Sequence, residues 1–150
     1  MLKKPYGYVY FILLLVLSAS PRAEDSAETL IQTGQTQAAQ GQFDAALASF
    51  EQAIALEPRS SLAYTRMGGV QVLRQQYRLG IDAFKQAIML DQRNADAFVG
   101  MAVAYLHLGD ESLARAALHE AETLNPAKKP EIAKVLALLD QKSSGKPSTH

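Results

Sequence analysis

The sequence predicts an all-α protein in which three helical hairpins stack into an α-solenoid and a last helix covers one end. Three observations carry this prediction. Related residues recur without a gap at a spacing of 34, as Gly34, Gly68 and Ala102 illustrate. The apolar residues of the stretch 41–58 follow the 3.6-residue period of an amphipathic helix. Small residues alternate with large ones, as expected where helix backbones approach closely and neighbouring layers fill the remaining space.

The recurrence extends over five sets of residues that share the 34-residue step. The sets are Gly34, Gly68 and Ala102; Ala46, Gly80 and Ala114; Phe50, Phe84 and Leu118; Ala53, Ala87 and Ala121; and Pro58, Gln92 and Pro126. This pattern resembles the tetratricopeptide repeat family, whose unit is a helix-turn-helix of that length. The resemblance implies repeats at 27–60, 61–94 and 95–128, within a repeat domain of residues 24–141.

Residues 1–23 have the composition of a secretory signal peptide. Lys3 and Lys4 give a basic start, residues 8–17 are an unbroken apolar run, and small residues precede Ala23. The apolar run is short for a membrane span. Because Pro21 makes the cleavage site imperfect, an uncleaved segment that tethers the protein to the inner membrane is the alternative. In both cases we expect the folded part to be periplasmic or secreted.

The first repeat has the polar character expected at the end of an array. Thr33 and Gln37 stand where the third repeat has Met101 and Tyr105. A terminal repeat lacks a neighbour on one side, so polar residues are expected there. Gly41 is placed to end the first helix in the left-handed conformation.

The second repeat departs from the family pattern at its turns and in its charge. Gln75 and Gln92 replace the usual turn glycine and proline, which we expect to soften the turns without removing the helices. This repeat carries a net charge of +3, whereas each flanking repeat carries −3. Such charges mostly belong to solvated helix faces. A basic band that meets an acidic partner or another copy of the chain is the alternative.

The third repeat and the last helix complete the predicted array. We expect Asp110 to cap a helix through its carboxylate, and Leu118, which replaces an aromatic residue, to pack more loosely. Pro130 opens a helix predicted over 130–141 that covers the open end. Residues 142–150 are predicted to be disordered. The apolar stripe of the final helix comprises Ile132, Val135, Leu136 and Leu139.

Composition excludes several classes of function. The chain has 15 basic and 15 acidic residues and no cysteine, so disulfides, thiolate metal sites and thiol catalysis are excluded. Without Lys3, Lys4 and Arg22 of the leader, the balance becomes mildly acidic. A nucleic-acid-binding protein would instead show a basic patch or a high pI. We therefore predict no nucleic acid among the partners.

The sequence contains no recognisable set of catalytic residues. It contains neither the Gly-x-Ser-x-Gly turn of a serine hydrolase nor a His-Glu-x-x-His helix. His107 and His119 belong to different predicted helices and lack clustered carboxylate partners. We therefore predict no catalytic residues, no metal, no cofactor and no small-molecule substrate.

The family resemblance implies a concave groove lined by the first helix of each repeat. Lys and Asn, which a carboxylate clamp has at the fifth and ninth positions, are absent here. Three arginines, Arg59, Arg66 and Arg93, are predicted to flank the groove as rim charges. The groove residues that the resemblance implies are Ile31, Gln35, Ala38, Thr65, Gly69, Val72, Val99, Val103 and Leu106.

These features predict a non-enzymatic adaptor or scaffold in the bacterial cell envelope. Its largely apolar groove would bind an amphipathic helix or an extended apolar segment of another envelope protein or complex. Alternatively, Val72, Val99 and Leu106 only pack against the array's own second helices or its terminal segment. Two further alternatives are a self-assembling structural protein, as a homo-oligomer, and a membrane-anchored assembly factor tethered by the leader.

Overall fold

The computed structural model describes residues 26–144, which form seven α-helices, a short 3-10 helix and no β-strand. The predicted all-α fold is thereby confirmed. The predicted leader and residues 145–150 of the predicted tail lie outside the described residues. The helices are α1 (Ala27–Ala39), α2 (Phe43–Leu56), α3 (Ser61–Leu73), α4 (Tyr77–Leu90), α5 (Ala95–Leu108), α6 (Glu111–Leu124) and α7 (Lys129–Ser144), with the 3-10 helix at Pro126–Lys128.

The helices pair and stack as an α-solenoid. Helices α1, α3 and α5 each pack against the helix that follows them, and α2 and α4 pack against the first helix of the next pair. The first helices also contact one another in the order α1, α3, α5. Each hairpin therefore buries its apolar surface against the next one, which is how repeat arrays gain stability.

The repeated small and large residues meet inside these hairpins. A Cβ built on Gly34 would lie 2.6 Å from Cε1 of Phe50, and one on Gly68 would lie 2.8 Å from Cε1 of Phe84. Phe84 also fills the space beside Gly100 on the next first helix, where a Cβ would overlap its ring. Glycine is required at these positions because the ring of a phenylalanine occupies the space of a side chain.

The third repeat replaces this glycine–phenylalanine pair with Ala102 and Leu118. Leu118 is only 1% exposed and is among the largest fully buried side chains described. The looser packing expected around this smaller side chain is therefore not accompanied by exposure to solvent. The equivalent Phe50 and Phe84 are 1% and 2% exposed, so this position is buried in all three repeats.

The first helices begin with side-chain caps. Ser26, Ser60 and Asn94 accept hydrogen bonds from the backbone N–H groups three residues later. The second helices begin without such bonds, and the prediction that Asp110 caps α6 through its carboxylate is wrong. Asp110 has a ψ of 67°, within the 58–67° of all three residues that precede second helices, none of which caps, whereas the three capping residues have ψ between 82° and 155°. The tight turn inside each hairpin therefore imposes a backbone conformation that differs from that of the capping residues.

The final helix packs against α6 and is longer than predicted. It begins at Lys129 and continues to Ser144, three residues past the predicted end. Ile132 and Leu139 are buried on this contact. Arg115 donates to Asp140 at 2.6 Å, which adds an ion pair between the two helices. Among residues 26–144, no helix combines the length and the apolar character needed to cross a membrane.

Candidate functional site

The nine predicted groove residues all belong to α1, α3 and α5, but two of them lie in the interior. Ile31 is 5% exposed and packs in the core of the first repeat. Thr65 is 7% exposed, donates its hydroxyl to the backbone oxygen of Ser61, and accepts from Nδ2 of Asn94. Both side chains are therefore already engaged within the protein, Ile31 by core packing and Thr65 by hydrogen bonds.

Four further groove residues are only partly exposed, because each also packs against a buried cluster. Ala38, Val72, Val99 and Leu106 are half-buried and pack against the buried clusters of their repeats. Val72 contributes directly to the contact between α3 and α4, because its Cγ2 would lie 2.9 Å from a Cβ built on Gly80. These side chains present only part of their surface to a partner.

The ninth positions of the first helices form one row of the predicted groove, which we call the ninth row. Gln35, Gly69 and Val103 are half-buried, and none of the three apolar clusters in the described part of the chain includes Val103. A Cβ on Gly69 would meet nothing within 4 Å. A bound backbone can therefore approach α3 closely at this point.

Two exposed leucines extend the open surface of α3 in both directions from Gly69. Leu62 is 48% exposed and Leu73 is 61% exposed. Together with Arg66 and Gly69 they form one stripe on α3, which we call the α3 seam, with residues separated by four, three and four positions. The predicted groove residues include neither leucine. The sequence signal for both was the family pattern, in which the second and thirteenth positions of a first helix also line the groove, because Leu62 and Leu73 hold these positions in the second repeat.

The three predicted rim charges have different environments. Arg59 and Arg93 are exposed in the turns that precede α3 and α5. Arg66 is half-buried within the α3 seam, and its Nε is buried without a hydrogen-bond partner. Arg66 therefore differs from a freely solvated charge at the edge of a surface.

A cleft of about 370 Å³ lies where the turns before α5 and after α6 meet. Its charged residues are of both signs, and Lys128 Nζ lies 2.6 Å from a carboxylate oxygen of Asp96. The hydrogen bond that Lys128 donates to Asp96 raises the pKa of Lys128 above its ordinary value. Because its opposite charges neutralise one another, this cleft does not select for ligands of one charge.

The described residues contain no group of three or more His, Cys, Asp or Glu side chains placed to hold a metal ion. His107 is engaged with Tyr77, on which its ring stacks with centroids 4.6 Å apart and planes 4° from parallel. His119 is exposed on α6.

Solved structures with the same fold include several interaction domains. MamA is 27% identical, with a TM-score of 0.63 over 75% of this chain and 64% of that chain, just under two thirds of its length. The type III secretion translocator chaperone SycD of Yersinia enterocolitica has a TM-score of 0.74 at 20% identity, over 81% of this chain and 96% of that one. The first repeat domain of Spaghetti (RPAP3), bound to an HSP90 peptide, has a TM-score of 0.65 at 17% identity, over 75% and 94%.

Family models identify the repeats directly, although no match was found among curated proteins. Two models described as tetratricopeptide repeat match residues 27–60 and 71–128, which together make up more than half of the chain. Proteins with this repeat mediate protein–protein interactions, and the fold is typically a non-enzymatic scaffold. The stacked hairpins, their 34-residue spacing and these matches agree, and the chain belongs to the tetratricopeptide repeat family.

Proposed function

We propose that this protein is a non-enzymatic adaptor of the bacterial cell envelope that holds an apolar segment of another envelope protein against its first helices. The observation that carries the proposal is the uncovered apolar surface of α3. Leu62 and Leu73 are large, exposed and separated by an open Gly69. Exposed apolar surface of this kind is typical of interaction sites.

The residues of the first helices favour an apolar ligand over an acidic C-terminus. Repeat domains of RPAP3 with the same fold have been solved with the acidic HSP90 peptide SRMEEVD. In the present chain, Ile31 and Gln35 stand where a carboxylate clamp would have Lys and Asn. The ninth row has Gln35, Gly69 and Val103 instead, and the α3 seam adds two large exposed leucines. This largely apolar surface suits an apolar segment of a partner.

The envelope location rests on the composition of residues 1–23. A basic start, an apolar run and small residues are the three parts of a secretory signal. If the segment is retained, it tethers the adaptor to the inner membrane. In either form the repeat domain meets partners outside the cytoplasm.

A charge placed on the open surface of α3 tests the proposal. We expect Leu73→Glu to reduce recovery of the partner from an envelope extract by at least about tenfold, because a carboxylate would have to be buried against apolar ligand atoms. The matched control is Met89→Glu, since Met89 is a large apolar residue on the second helix α4 and is 73% exposed. Quantitative mass spectrometry of affinity-captured proteins makes the measurement.

Both variants should keep the helical circular dichroism of the parent protein, because both side chains are solvated. Recovery of the same partners by Leu73→Glu and by the unmodified protein would refute binding at this surface. Equal losses in Leu73→Glu and Met89→Glu would also refute it, since such losses would not depend on the first helices.

A further inference from the structure

We propose that two copies of this chain pair through the edge that carries the turns of the second and third hairpins, residues 75–79 and 108–113, which we call the turn edge. In each of two identical contacts, Leu113 of one copy enters a cleft of the other, and Asp110 meets Arg78. This pairing is separate from the proposed adaptor function, because it uses no residue of the predicted groove or of the α3 seam.

Exposed leucines lie along the turn edge. Leu79 and Leu113, in the first turns of α4 and α6, are 51% and 49% exposed, and Leu108 at the end of α5 is 38% exposed. The 34-residue step relates Leu79 to Leu113, whereas the first repeat has Ala45 at this position. The apolar side chains are therefore confined to the second and third repeats, and exposed apolar surface of this kind is typical of interaction sites.

The second repeat contributes a cleft of about 330 Å³ to the turn edge. Leu79 and Leu108 line this cleft together with Tyr77 and Arg78. Because the ring of Tyr77 stacks on His107 of α5, two neighbouring helices hold this wall of the cleft in place. A cleft that is already formed needs less ordering when a side chain enters it.

The third repeat carries a side chain and a charge that match this cleft. Leu113 does not line the cleft and stands at the start of α6, three residues after the exposed Asp110. A leucine beside a carboxylate complements an apolar cleft that has Arg78 on its wall. The four ion pairs found among residues 26–144 use neither Arg78 nor Asp110.

The position of these groups favours a second copy of the chain as the occupant. The cleft and Leu113 belong to neighbouring repeats, whose stacked hairpins hold them side by side, so one chain does not fill its own cleft. In a pair related by a two-fold axis, the second repeat of each copy faces the third repeat of the other. Both contacts then form at once, as in every isologous interface.

The N-terminal end of the array is less suited to contacts between copies. In α3, Ala63 and Val70 are buried against the first repeat. The equivalent positions of α1 hold Thr29 and Thr36, which are exposed. Stacking another copy on this end would bring polar side chains into the contact, whereas the turn edge offers leucines.

The expected dimer is weak because the turn edge is small. Interfaces that bury less than about 1,200 Å² are typical of transient complexes. We therefore expect monomer and dimer in equilibrium, with a dissociation constant on the order of 10–100 µM at low salt. Sedimentation equilibrium of the full-length protein, from about 1 to 500 µM, measures this constant and the mass of the complex.

Charge reversals test the contact between Arg78 and Asp110. Arg78→Glu and Asp110→Arg each place two like-charge contacts in the dimer and should weaken it about tenfold or more. A chain with both substitutions should dimerise as the unmodified protein does. The matched control is Lys85→Glu, which reverses an exposed cation seven residues further along α4 and should leave the equilibrium unchanged. All variants should keep the helical circular dichroism of the parent.

A mixture of the two single variants tests the two-fold symmetry. One Arg78→Glu chain and one Asp110→Arg chain form two attractive contacts, so the mixture should associate about tenfold or more tightly than either variant alone. Its mass should not exceed that of a dimer. Larger complexes would overturn the two-fold arrangement, and so would a mixture that associates no better than its components.

Substitution of Leu113 tests the apolar part of the contact. We expect Leu113→Ser to weaken the dimer by about tenfold, because the cleft would no longer receive a large apolar side chain. The control is Leu56→Ser, since Leu56 is also exposed but ends α2, away from the turn edge.

A protein that stays monomeric over the whole concentration range would overturn the proposed pairing, as would a dimer that neither Arg78→Glu nor Leu113→Ser weakens. The leader is the same in every variant, so association through it would not respond to these substitutions. Neither outcome affects the adaptor function, which depends on the capture of partners by Leu73 and is tested with Leu73→Glu.

Discussion

At the scale of single residues, Gln75 holds a backbone conformation that the other two repeats give to glycine. Its φ is 63°, beside 75° at Gly41 and 82° at Gly109, the equivalent positions of the first and third repeats. The left-handed region is unfavourable for a residue with a Cβ. The sequence predicted a softened turn here, whereas the structure retains the tight turn and places a strained glutamine in it.

We expect Gln75→Gly to stabilise the protein by about 0.5–1 kcal/mol, because relief of the left-handed strain exceeds the added freedom of glycine in the unfolded chain. Urea denaturation followed by circular dichroism measures the change. The control is Gln76→Gly, since Gln76 has a φ of −89° and gains nothing from glycine. A lower denaturation midpoint for Gln75→Gly would show that its side chain makes a stabilising contact.

At the scale of one element, two adjacent glycines in α3 serve opposite purposes. Gly68 faces the interior, where a Cβ would lie 2.8 Å from the ring of Phe84 and 3.1 Å from the backbone oxygen of Gly80. Gly69 faces open space. The sequence places both in a helix that would otherwise avoid glycine, but it does not distinguish the packed glycine from the open one.

Alanine substitutions should therefore change stability in opposite directions. We expect Gly68→Ala to destabilise the protein by roughly 1–2 kcal/mol, since a backbone oxygen and a packed ring cannot both move away from the added methyl group. We expect Gly69→Ala to stabilise it by up to about 1 kcal/mol through helix propensity. Thermal unfolding of both variants gives the comparison. A shift of the same sign in both would contradict the assigned environments.

At the scale of the whole molecule, Asn94 joins three helices at the boundary between the second and third repeats. Its Oδ1 caps α5 by accepting from Ala97 N, and its Nδ2 donates to the hydroxyl oxygens of Ser61 and Thr65 at 2.8 Å each. Ser61 in turn donates to the backbone oxygen of Ala87 on α4. The Asn94 side chain thus links α5 to α3, and Ser61 extends this network to α4.

We expect Asn94→Ser to destabilise the protein by about 1–2 kcal/mol, because serine can cap the helix as Ser60 does but cannot donate to two hydroxyl groups at once. Asn125→Ser is the control, since the Asn125 side chain accepts only from nearby Ala127. Chemical denaturation measures both. Equal midpoints for the two variants would mean that the links across repeats add nothing to stability.

The sequence by itself determined the helical class, the number of stacked hairpins and the helices to which the predicted groove residues belong. The 34-residue period sets the length of one hairpin. A single hairpin cannot bury its apolar face, so neighbouring hairpins stack, with small residues of one helix packed against large residues of another. It also placed Gly41 correctly in the left-handed conformation that ends α1.

Only the tertiary structure decided which side chains of that face remain open. Ile31 and Thr65 belong to the predicted positions but are buried, the latter because Asn94 of the following turn covers it. Leu62 and Leu73 stay exposed, and Arg66 lacks an acceptor for Nε. Side chains at equivalent positions of the three repeats project from the same face of their helices. Their exposure differs because each neighbouring repeat brings a different side chain against them.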